Sequence, residues 1–392
     1  GSDSLHHPFY RNVSKQAGIT IEGYSHGAIA ADINGDGWKD IYVTNDYLSP
    51  NVLYINNHDG TFTDKSTYYF KHTSANAMGQ DIEDINNDGL PDVFELDMNP
   101  EDNYRKKMMM NAASYQTYQN SDYFGYQYQY VRNTLQLNQG HRMLENDTIG
   151  EPIFSEIAFM SGVAETDWSW TPMVTDFDND GYRDIIVTNG FPKDVTDHDF
   201  AAFRDKAYYV ASKQELLSQI PEVKLKNYAF KNNGNLSFTD VSDAWGIAEP
   251  SFSNGAAYAD FDNDGDLDYV TNNINDEAAV YENHASDKKE KNHWLHINFK
   301  SEAPNVNALG AFAEVYYNKG MLQAYENTPY RGYLSTVQGG AHFGLGTTAI
   351  ADSVLIKWND GKMQLLKNVP ADKVITVQYK DAVMADTSNA GK

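Results

Sequence analysis

Short apolar runs alternate with segments rich in Gly, Asn and Asp along residues 1–285 of the chain. Runs such as Ile41–Thr44, Val93–Leu96 and Ile185–Thr188 are short and rich in β-branched or aromatic side chains, which is typical of β-strands. The polar segments between them carry the residues that favour tight turns. No apolar run approaches the ~20 residues that cross a bilayer as a helix. The pattern therefore predicts many short strands and an all-β fold.

Two sequence elements recur four times at almost constant spacing. Segments with the pattern Asp-x-Asp/Asn-x-Asp-Gly-x-x-Asp begin at Asp32, Asp84, Asp176 and Asp260. A phenylalanine that opens a short strand-like stretch lies 23, 22, 22 and 22 residues before them, at Phe9, Phe62, Phe154 and Phe238. Constant spacing indicates one repeated unit, and about four strands per unit fit a propeller blade. A β-solenoid is the alternative, although its repeats are usually shorter.

A third element, Asn-x-Leu/Ala-x-Ile/Leu/Lys-Asn, begins at Asn51, Asn133 and Asn227. It follows the last Asp of its repeat by 11, 41 and 43 residues. Two insertions, at about residues 97–132 and 194–226, therefore occupy the same point of the second and third repeats. Insertions at one point of a repeat emerge on one face, which is often the binding face.

The two insertions differ in character. The second predicts one or two helices that end before Pro221, either as a cap over the propeller or as a surface decoration. The first is rich in aromatic residues, which either recognise a sugar or peptide or pack the insertion onto its blade. They are Tyr104, Tyr115, Tyr118, Tyr123, Tyr126, Tyr128 and Tyr130. Trp168 and Trp170, just before the third Asp-rich loop, are predicted to pack between blades rather than to form a stacking platform.

The Asp-rich pattern has the chemistry of a calcium loop. Calcium takes 6–8 oxygen ligands, and side chains at positions 1, 3 and 5 of a coiled loop converge on one point. Gly at position 6 permits the turn, position 7 offers its carbonyl, and the Asp at position 9 completes the ligands. Strand-like sequence follows instead of the Glu and helix of an EF-hand, and simple turn formation by Asp, Asn and Gly is the alternative. The predicted ligands, for about four structural ions, are Asp32, Asn34, Asp36, Trp38, Asp40, Asp84, Asn86, Asp88, Leu90, Asp92, Asp176, Asp178, Asp180, Tyr182, Asp184, Asp260, Asp262, Asp264, Asp266 and Asp268.

The composition agrees with cation binding and excludes several classes of function. The 392 residues include 55 acidic and 30 basic ones, for a formal charge of −25. Such a surface repels nucleic acid, because phosphate binding needs clustered Lys and Arg. The absence of cysteine excludes disulfides and thiolate metal sites. Gly1-Ser2 is typical of a cloning remnant, so a natural leader would have been removed, and we expect a secreted, cell-surface or periplasmic protein.

With these motifs the chain resembles the FG-GAP/VCBS repeat family, and in particular the bacterial cartilage-acidic-protein-like proteins that join such a propeller to an ASPIC/UnbV domain. The C-terminal resemblance rests on segments in the family's order: 293–299, 307–310, 331–335 (Arg-Gly-Tyr-Leu-Ser), 342–346, 354–361 and 368–371. It implies integrin-α-like blades and calcium loops. The family usually has more repeats upstream, so a partial propeller is expected, with a complete four-bladed ring as the alternative.

The expected organisation is a propeller region over residues 1–285, a linker at 286–292, a β-sandwich-like domain at 293–380 and a flexible tail at 381–392. The linker is polar and charged, whereas alternating apolar positions at 294–299 and 354–358 predict half-buried strands.

Two functions follow from this reading. One is a calcium-binding propeller that binds a glycan or a protein without catalysis. The other is an enzyme for glycan cleavage or for acid-catalysed cyclisation of natural-product type, since some relatives are encoded beside biosynthetic genes. Its candidate acids outside the calcium loops are Asp81, Asp97, Glu165 and Asp167.

Overall fold

The computed structural model describes residues 10–109, 115–145, 148–288 and 291–384, and its architecture is all-β, as predicted. The repeat region contains strands β1 Tyr24–Ala31, β2 Asp40–Asp46, β3 Val52–Asn56, β4 Phe62–Asp64, β5 Thr73–Ser74, β6 Gln80–Glu83, β7 Asp92–Glu95, β8 Met98–Asn99, β9 Gln129–Tyr130, β10 Thr134–Met143, β11 Ile149–Glu156, β12 Asp167–Thr175, β13 Asp184–Asn189, β14 Leu225–Lys226, β15 Tyr228–Asn232, β16 Phe238–Asp240, β17 Pro250–Ser251, β18 Ser253–Ala259, β19 Asp268–Asn273 and β20 Ala279–Tyr281. The C-terminal region contains β21 His293–Lys300, β22 Phe312–Tyr317, β23 Met321–Glu326, β24 Tyr330–Arg331, β25 Ser335–Thr336, β26 Ala341–Gly346, β27 Ile350–Lys357, β28 Lys362–Pro370, β29 Lys373–Gln378 and β30 Val383–Met384. The helices are α1 Ser66–Tyr69, α2 Asn103–Met108, α3 Tyr115–Phe124, α4 Ala158–Ser161, α5 His198–Ala207 and α6 Lys213–Ser218.

Each repeat forms one antiparallel sheet, which we call a blade. The strand orders are β1-β2-β3-β4, β6-β7-β10-β11, β12-β13-β15-β16 (with β8 beside β12) and β18-β19-β20. Each Asp-rich loop connects the first and second strands of its blade, and its last Asp is the first residue of the second strand. The blades follow one another along the chain as propeller-like repeats.

In the first repeat, the residue that corresponds to the recurring phenylalanine lies one position later than the sequence pattern predicts. Phe62, Phe154 and Phe238 lie on the fourth strands of their blades, and Phe9 lies outside the described residues. Two residues after Phe62 and Phe238, Asp64 and Asp240 accept a hydrogen bond from the backbone N–H two residues further on. Asn12 accepts the same bond from Ser14. The counterpart of the phenylalanines is therefore Tyr10, which lies 22 residues before Asp32 like the other three.

Aromatic and aliphatic side chains between consecutive blades form the cores of the repeat region. Trp168 and Trp170 of blade three form a separate cluster with Met78, which lies just before the first strand of blade two, and are 6% and 9% exposed. Phe191 stacks on Trp168 with ring centres 5.0 Å apart, and the Trp170 indole N–H donates to the carbonyl of Gly190. The prediction that they pack between blades is confirmed.

The C-terminal strands form two sheets that share one core. Their orders are β26-β21-β29 and β23-β22-β27-β28-β30. Residues from both sheets, such as Leu295, Phe343 and Val354, are fully buried together in this core. This arrangement agrees with the predicted sandwich, while the domain boundaries themselves remain a prediction. At the predicted linker, Ser286 donates its backbone N–H to Asp266, so the described part of this segment packs against the fourth loop.

A hairpin formed by β24 and β25 leaves the C-terminal sandwich and lies against the first strands of all four blades. Its contacts are Tyr333 with His26 (ring centres 6.0 Å apart), Gly332 with Gln80, Tyr333 with Thr171, and Ser335 with Ala256. Arg331 of this hairpin is fully buried and pairs with Asp81 and Glu83 of β6. The hairpin therefore links the first strands of the four blades to the C-terminal region.

The insertions emerge where the sequence placed them. The second forms α5 and α6, which confirms its predicted helices. The first forms α2 and α3, although residues 110–114 lie outside the described part of the chain. Six of its seven tyrosines are exposed, including Tyr115 and Tyr123 at 75% and 83%, and Tyr128 is half-buried, so they do not pack wholly onto the blade.

Candidate metal centres

All four Asp-rich loops adopt the same hydrogen-bonded turn. In the third loop, Asp176 accepts from the backbone N–H groups of Asp180 and Gly181 at 3.1 and 2.7 Å, and Asp180 accepts from that of Tyr182 at 2.9 Å. The corresponding bonds recur in the loops that begin at Asp32, Asp84 and Asp260. Backbone donors therefore hold the position 1 and position 5 carboxylates on the inside of each turn.

The Asp at position 9 ties each loop to its blade. Both oxygens of Asp184 accept backbone N–H groups, from Phe177 at the start of the loop and from Asn232 on the third strand. The position 9 residues Asp40, Asp92 and Asp268 make the same pair of bonds. A carboxylate fixed in this way is aimed at the loop before any ion arrives.

An asparagine in or just after the third strand supports each loop, and its role was not anticipated from the sequence. Asn232 donates its side-chain amide to the carbonyl of Arg183 at 3.0 Å, next to the position 9 Asp. Equivalent bonds come from Asn56, Asn138 and Asn283. Asn56, Asn138 and Asn232 are the final residues of the recurring element that begins at Asn51, Asn133 and Asn227. The sequence signal was therefore present, but the fourth copy lacks the leading Asn and so was missed.

Two loops gather three carboxylates at ligand distance. Oxygens of Asp176, Asp178 and Asp184 lie within 4.8 Å of one another, and the same holds for Asp260, Asp262 and Asp268. In the first two loops, position 3 is an Asn whose amide donates to the position 5 Asp at 2.8 Å. The structure thus brings together the predicted ligands at positions 1, 3 and 9 of loops three and four, where negative charge is most concentrated.

Burial and mutual repulsion oppose ionisation of these carboxyl groups. Burial, together with a smaller contribution from the neighbouring loop carboxylates, raises the pKa of Asp40 and of Asp84 to about 6. The same causes raise the pKa of Asp176 and Asp184 well above the usual range. A divalent cation would remove this repulsion. Oxygen-only donors that converge in one turn fit a hard divalent cation.

The third loop has a competing cation of its own. The ammonium group of Lys231, one residue before Asn232, contacts Asp178 and lies 2.6 Å from Oδ2 of Asp180. These carboxylates hold the pKa of Lys231 above its usual range. Position 3 and position 5 of this loop are therefore partly neutralised from within the chain.

A cleft of about 620 Å³ lies between loop one and the C-terminal sandwich. Loop one contributes Asp32, Asp36 and Trp38, and the sandwich contributes Phe312 and Asn359. The Trp38 indole is 48% exposed and stacks on His58, with ring centres 4.8 Å apart. An open aromatic face thus lies beside the carboxylates of a candidate metal loop.

The four candidate catalytic acids all have partners in the structure. Asp81 pairs with Arg331, Asp167 forms two bonds with Arg105, and Glu165 pairs with Lys106. Asp97 is buried and accepts hydrogen bonds from Ser74 and from the backbone N–H of Ala75 and Arg132. Each carboxylate therefore has a structural role that accounts for its position.

The four repeats and the C-terminal sandwich match proteins that combine FG-GAP-like repeats with an ASPIC and UnbV domain. The FG-GAP-like repeat family matches residues 32–95 and 213–271, and the ASPIC and UnbV family matches residues 301–383. The chain is similar to cartilage acidic protein 1 of Homo sapiens, with 23% identity over 94% of this chain and 45% of the relative. It is likewise similar to the Mus musculus protein, with 22% identity over 90% of this chain and 44% of the relative. The chain thus spans less than half the length of these relatives.

One solved structure that matches the chain is that of a lectin of Agrocybe aegerita, described as recognising non-reducing terminal N-acetylglucosamine. It shares 14% identity, covers 91% of this chain and 83% of its own, and superposes with a TM-score of 0.31. That score is too low to carry any inference about fold or ligand. Within the described residues, no helix has the length and apolar character needed to cross a membrane.

Proposed function

We propose that this protein is a calcium-binding, extracellular or cell-surface propeller that serves as a binding module for a glycan or a protein. The observation that carries the proposal is the shared turn of the four Asp-rich loops, in which backbone donors aim oxygen ligands at one point. Calcium suits these loops better than magnesium, because it accepts 6–8 oxygens in flexible geometry whereas magnesium demands a near-ideal octahedron. Calcium modules of this kind suit the high calcium concentration outside cells.

The calcium ions would be structural. Each position 9 Asp joins its loop to two strands of the blade, so an ion held there would lock the first, second and third strands together. Like charges that repel in the metal-free loop would become ligands of one cation. Bound calcium would then stabilise the folded state in proportion to the logarithm of its concentration.

The cleft beside loop one is the surface that we assign to ligand binding. Its volume of about 620 Å³ lies within the usual range for ligand sites, roughly 300–1,000 Å³. An exposed indole offers an apolar face for a sugar ring or a peptide side chain, and the neighbouring carboxylates and Asn359 offer hydrogen-bond acceptors and a donor. The exposed tyrosines of the first insertion provide a second aromatic surface.

The test of calcium binding is calorimetric titration of the chelator-treated chain, together with thermal unfolding in excess calcium, excess magnesium and chelator. We expect a saturable rise in melting temperature with calcium and a much smaller one with magnesium. The Asp176→Asn and Asp260→Asn variants should each bind about one ion fewer, whereas Asp205→Asn, an exposed helix residue, should bind as the wild type does. No bound calcium and no shift would refute the proposal.

The ligand is tested on the calcium-loaded chain with glycan and peptide arrays. Trp38→Ala is the variant and Tyr209→Ala, an exposed aromatic on the second insertion, is its matched control. Loss of a saturable signal in the first variant alone would place the ligand in the cleft. Equal loss in both, or no loss in either, would exclude it.

A further inference from the structure

Neighbouring Asp-rich loops contact one another through the asparagine at position 4 of the pattern. The side-chain amide of Asn87 in loop two donates to the carbonyl of Gly181 in loop three at 2.7 Å. In the same way, the amide of Asn179 in loop three donates to the carbonyl of Gly265 in loop four at 3.0 Å. Each contact joins position 4 of one loop to position 6 of the next. Loops two, three and four are therefore linked in series.

The peptide group that accepts each of these bonds also binds a carboxylate of its own loop. The carbonyl of Gly181 and the N–H of Tyr182 belong to one peptide group, and this N–H donates to Asp180 at position 5. On the donor side, the N–H that follows Asn87 donates to Asp84 at position 1. An unbroken series of hydrogen bonds thus runs from a candidate ligand of loop two to a candidate ligand of loop three. Equivalent bonds join loop three to loop four.

The asparagine that supports each loop from the third strand forms a second link. Asn232 donates its backbone N–H to Asp184 at position 9 of loop three, while its side-chain amide donates to the carbonyl of Ile85 in loop two at 3.1 Å. Asn283 likewise joins the position 9 Asp of loop four to the carbonyl of Phe177 in loop three. Each of these asparagines therefore holds a carboxylate of its own loop and the backbone of the preceding loop.

Among the described residues, loop one lacks both links to loop two. Its position 4 is Gly35, which has no side chain, and a methyl group there would meet nothing within 4 Å. The supporting asparagine of the second blade, Asn138, donates its amide to Pro91 of its own blade. A side chain of the C-terminal sandwich contacts loop one instead, because Glu326 accepts the backbone N–H of Asp32 at 3.0 Å. The contacts that join the other three loops therefore leave loop one out.

Shared hydrogen bonds make the ordering of one loop depend on the ordering of the next. An ion that fixes the carboxylates of one loop also fixes the backbone groups that those carboxylates hold. The neighbouring loop bonds to the same groups, so it loses less conformational entropy when its own ion binds. Binding at one site thereby raises the affinity at the other, and coupling of this kind typically changes affinity about 5- to 150-fold.

We propose that loops two, three and four bind calcium as one coupled set, with loop three in the middle, and that loop one binds its ion independently. This inference rests on the proposed calcium binding and adds the order of coupling among the four sites. Asn87 and Asn179 are the positioning residues of the coupled set, since they join the loops without being candidate ligands.

The test is calcium titration of the chelator-treated chain against a chromophoric chelator, which gives the number of ions and the affinity of each step. Asp176→Asn removes the position 1 carboxylate of loop three, the middle loop. We expect this variant to bind one ion fewer and to bind two of the remaining ions at least about fivefold more weakly. Asp32→Asn in loop one should also bind one ion fewer but should leave the other affinities unchanged.

Asn87→Gly tests the link itself, with Asn263→Gly as its matched control. Both residues have a left-handed backbone, with φ angles of 61° and 64°, which glycine adopts without strain. Asn263 occupies the same position of loop four but is exposed, and no described residue bonds to its side chain. Asn87→Gly should keep all its ions and lower the affinity for at least two of them about fivefold or more, whereas Asn263→Gly should bind as the wild type does.

The outcomes separate this inference from the calcium proposal. A chain that binds no calcium refutes both. Calcium binding whose affinities stay unchanged in Asn87→Gly, or fall equally in Asn87→Gly and Asn263→Gly, refutes the coupling alone. Weaker binding of all the remaining ions in Asp32→Asn would refute the independence of loop one. Circular dichroism in excess calcium shows whether each variant is folded, and if Asp176→Asn is not, the two glycine variants still decide.

Discussion

Replacing Arg331 with methionine tests how the C-terminal hairpin is held among the blades. The guanidinium is fully buried, 2.6 Å from Oδ1 of Asp81 and 2.5 Å from Oε1 of Glu83. Methionine keeps much of the side-chain volume but removes the charge and its hydrogen bonds. The substitution therefore leaves two buried carboxylates without this partner.

The expected loss of unfolding free energy depends on the partners that Asp81 and Glu83 keep after the substitution. Removing one member of a buried ion pair costs about 3–5 kcal/mol, because the other charge stays buried and uncompensated. Glu83 keeps Arg183, whose Nε lies 3.1 Å from its Oε2. Asp81 keeps only hydrogen bonds from the backbone N–H groups of Ile82 and Val174. We therefore expect a loss near the lower end of the range, about 3 kcal/mol of unfolding free energy.

The assay is urea unfolding followed by tryptophan fluorescence, with protease digestion to detect release of the hairpin. Arg204→Met is the matched control, because Arg204 pairs with Asp205 on an exposed helix, where the two side chains are 44% and 72% exposed. An exposed pair of this kind contributes less than about 1 kcal/mol. If the free energy of unfolding of Arg331→Met lies within about 1 kcal/mol of the wild-type value, this ion-pair network does not anchor the hairpin.

Three further predictions concern the metal loops. Asp184→Asn should reduce the calcium stoichiometry by about one ion in calorimetric titration, and an unchanged stoichiometry would remove Asp184 from the ligands. Lys231→Met should raise the calcium affinity of loop three about tenfold, because it removes a competing positive charge, and an unchanged or lower affinity would contradict this. In chelator, melting temperature should fall as pH rises from 4 to 7. The folded-state pKa of Asp40 and of Asp84, about 6, exceeds the ordinary value of 3.8, so the stability that these groups contribute is complete below pH 3.8 and is lost as pH rises through 6. A flat pH profile in chelator would refute this reasoning.

Sequence alone was informative wherever a local pattern repeats. The Asp-rich loops could be predicted because turn formation and ligand convergence both depend on residues within nine positions of one another. The helices of the second insertion and the buried Trp168 and Trp170 followed from local periodicity and position. The supporting asparagines were only partly visible, because their hydrogen bonds join a loop to a strand that is up to about 50 residues away in sequence.

The sequence by itself determined the four repeats, the all-β class and the residues of the Asp-rich loops, since each of these depends on local spacing and on alternation of apolar and polar positions. It could not place Arg331 against Asp81, because 250 residues separate them and only the docking of the hairpin brings them together. Nor could it show that, among the described residues, no strand pairs with the outer side of β20. Pairing between distant strands is decided by packing and backbone hydrogen bonds, which only the tertiary structure supplies.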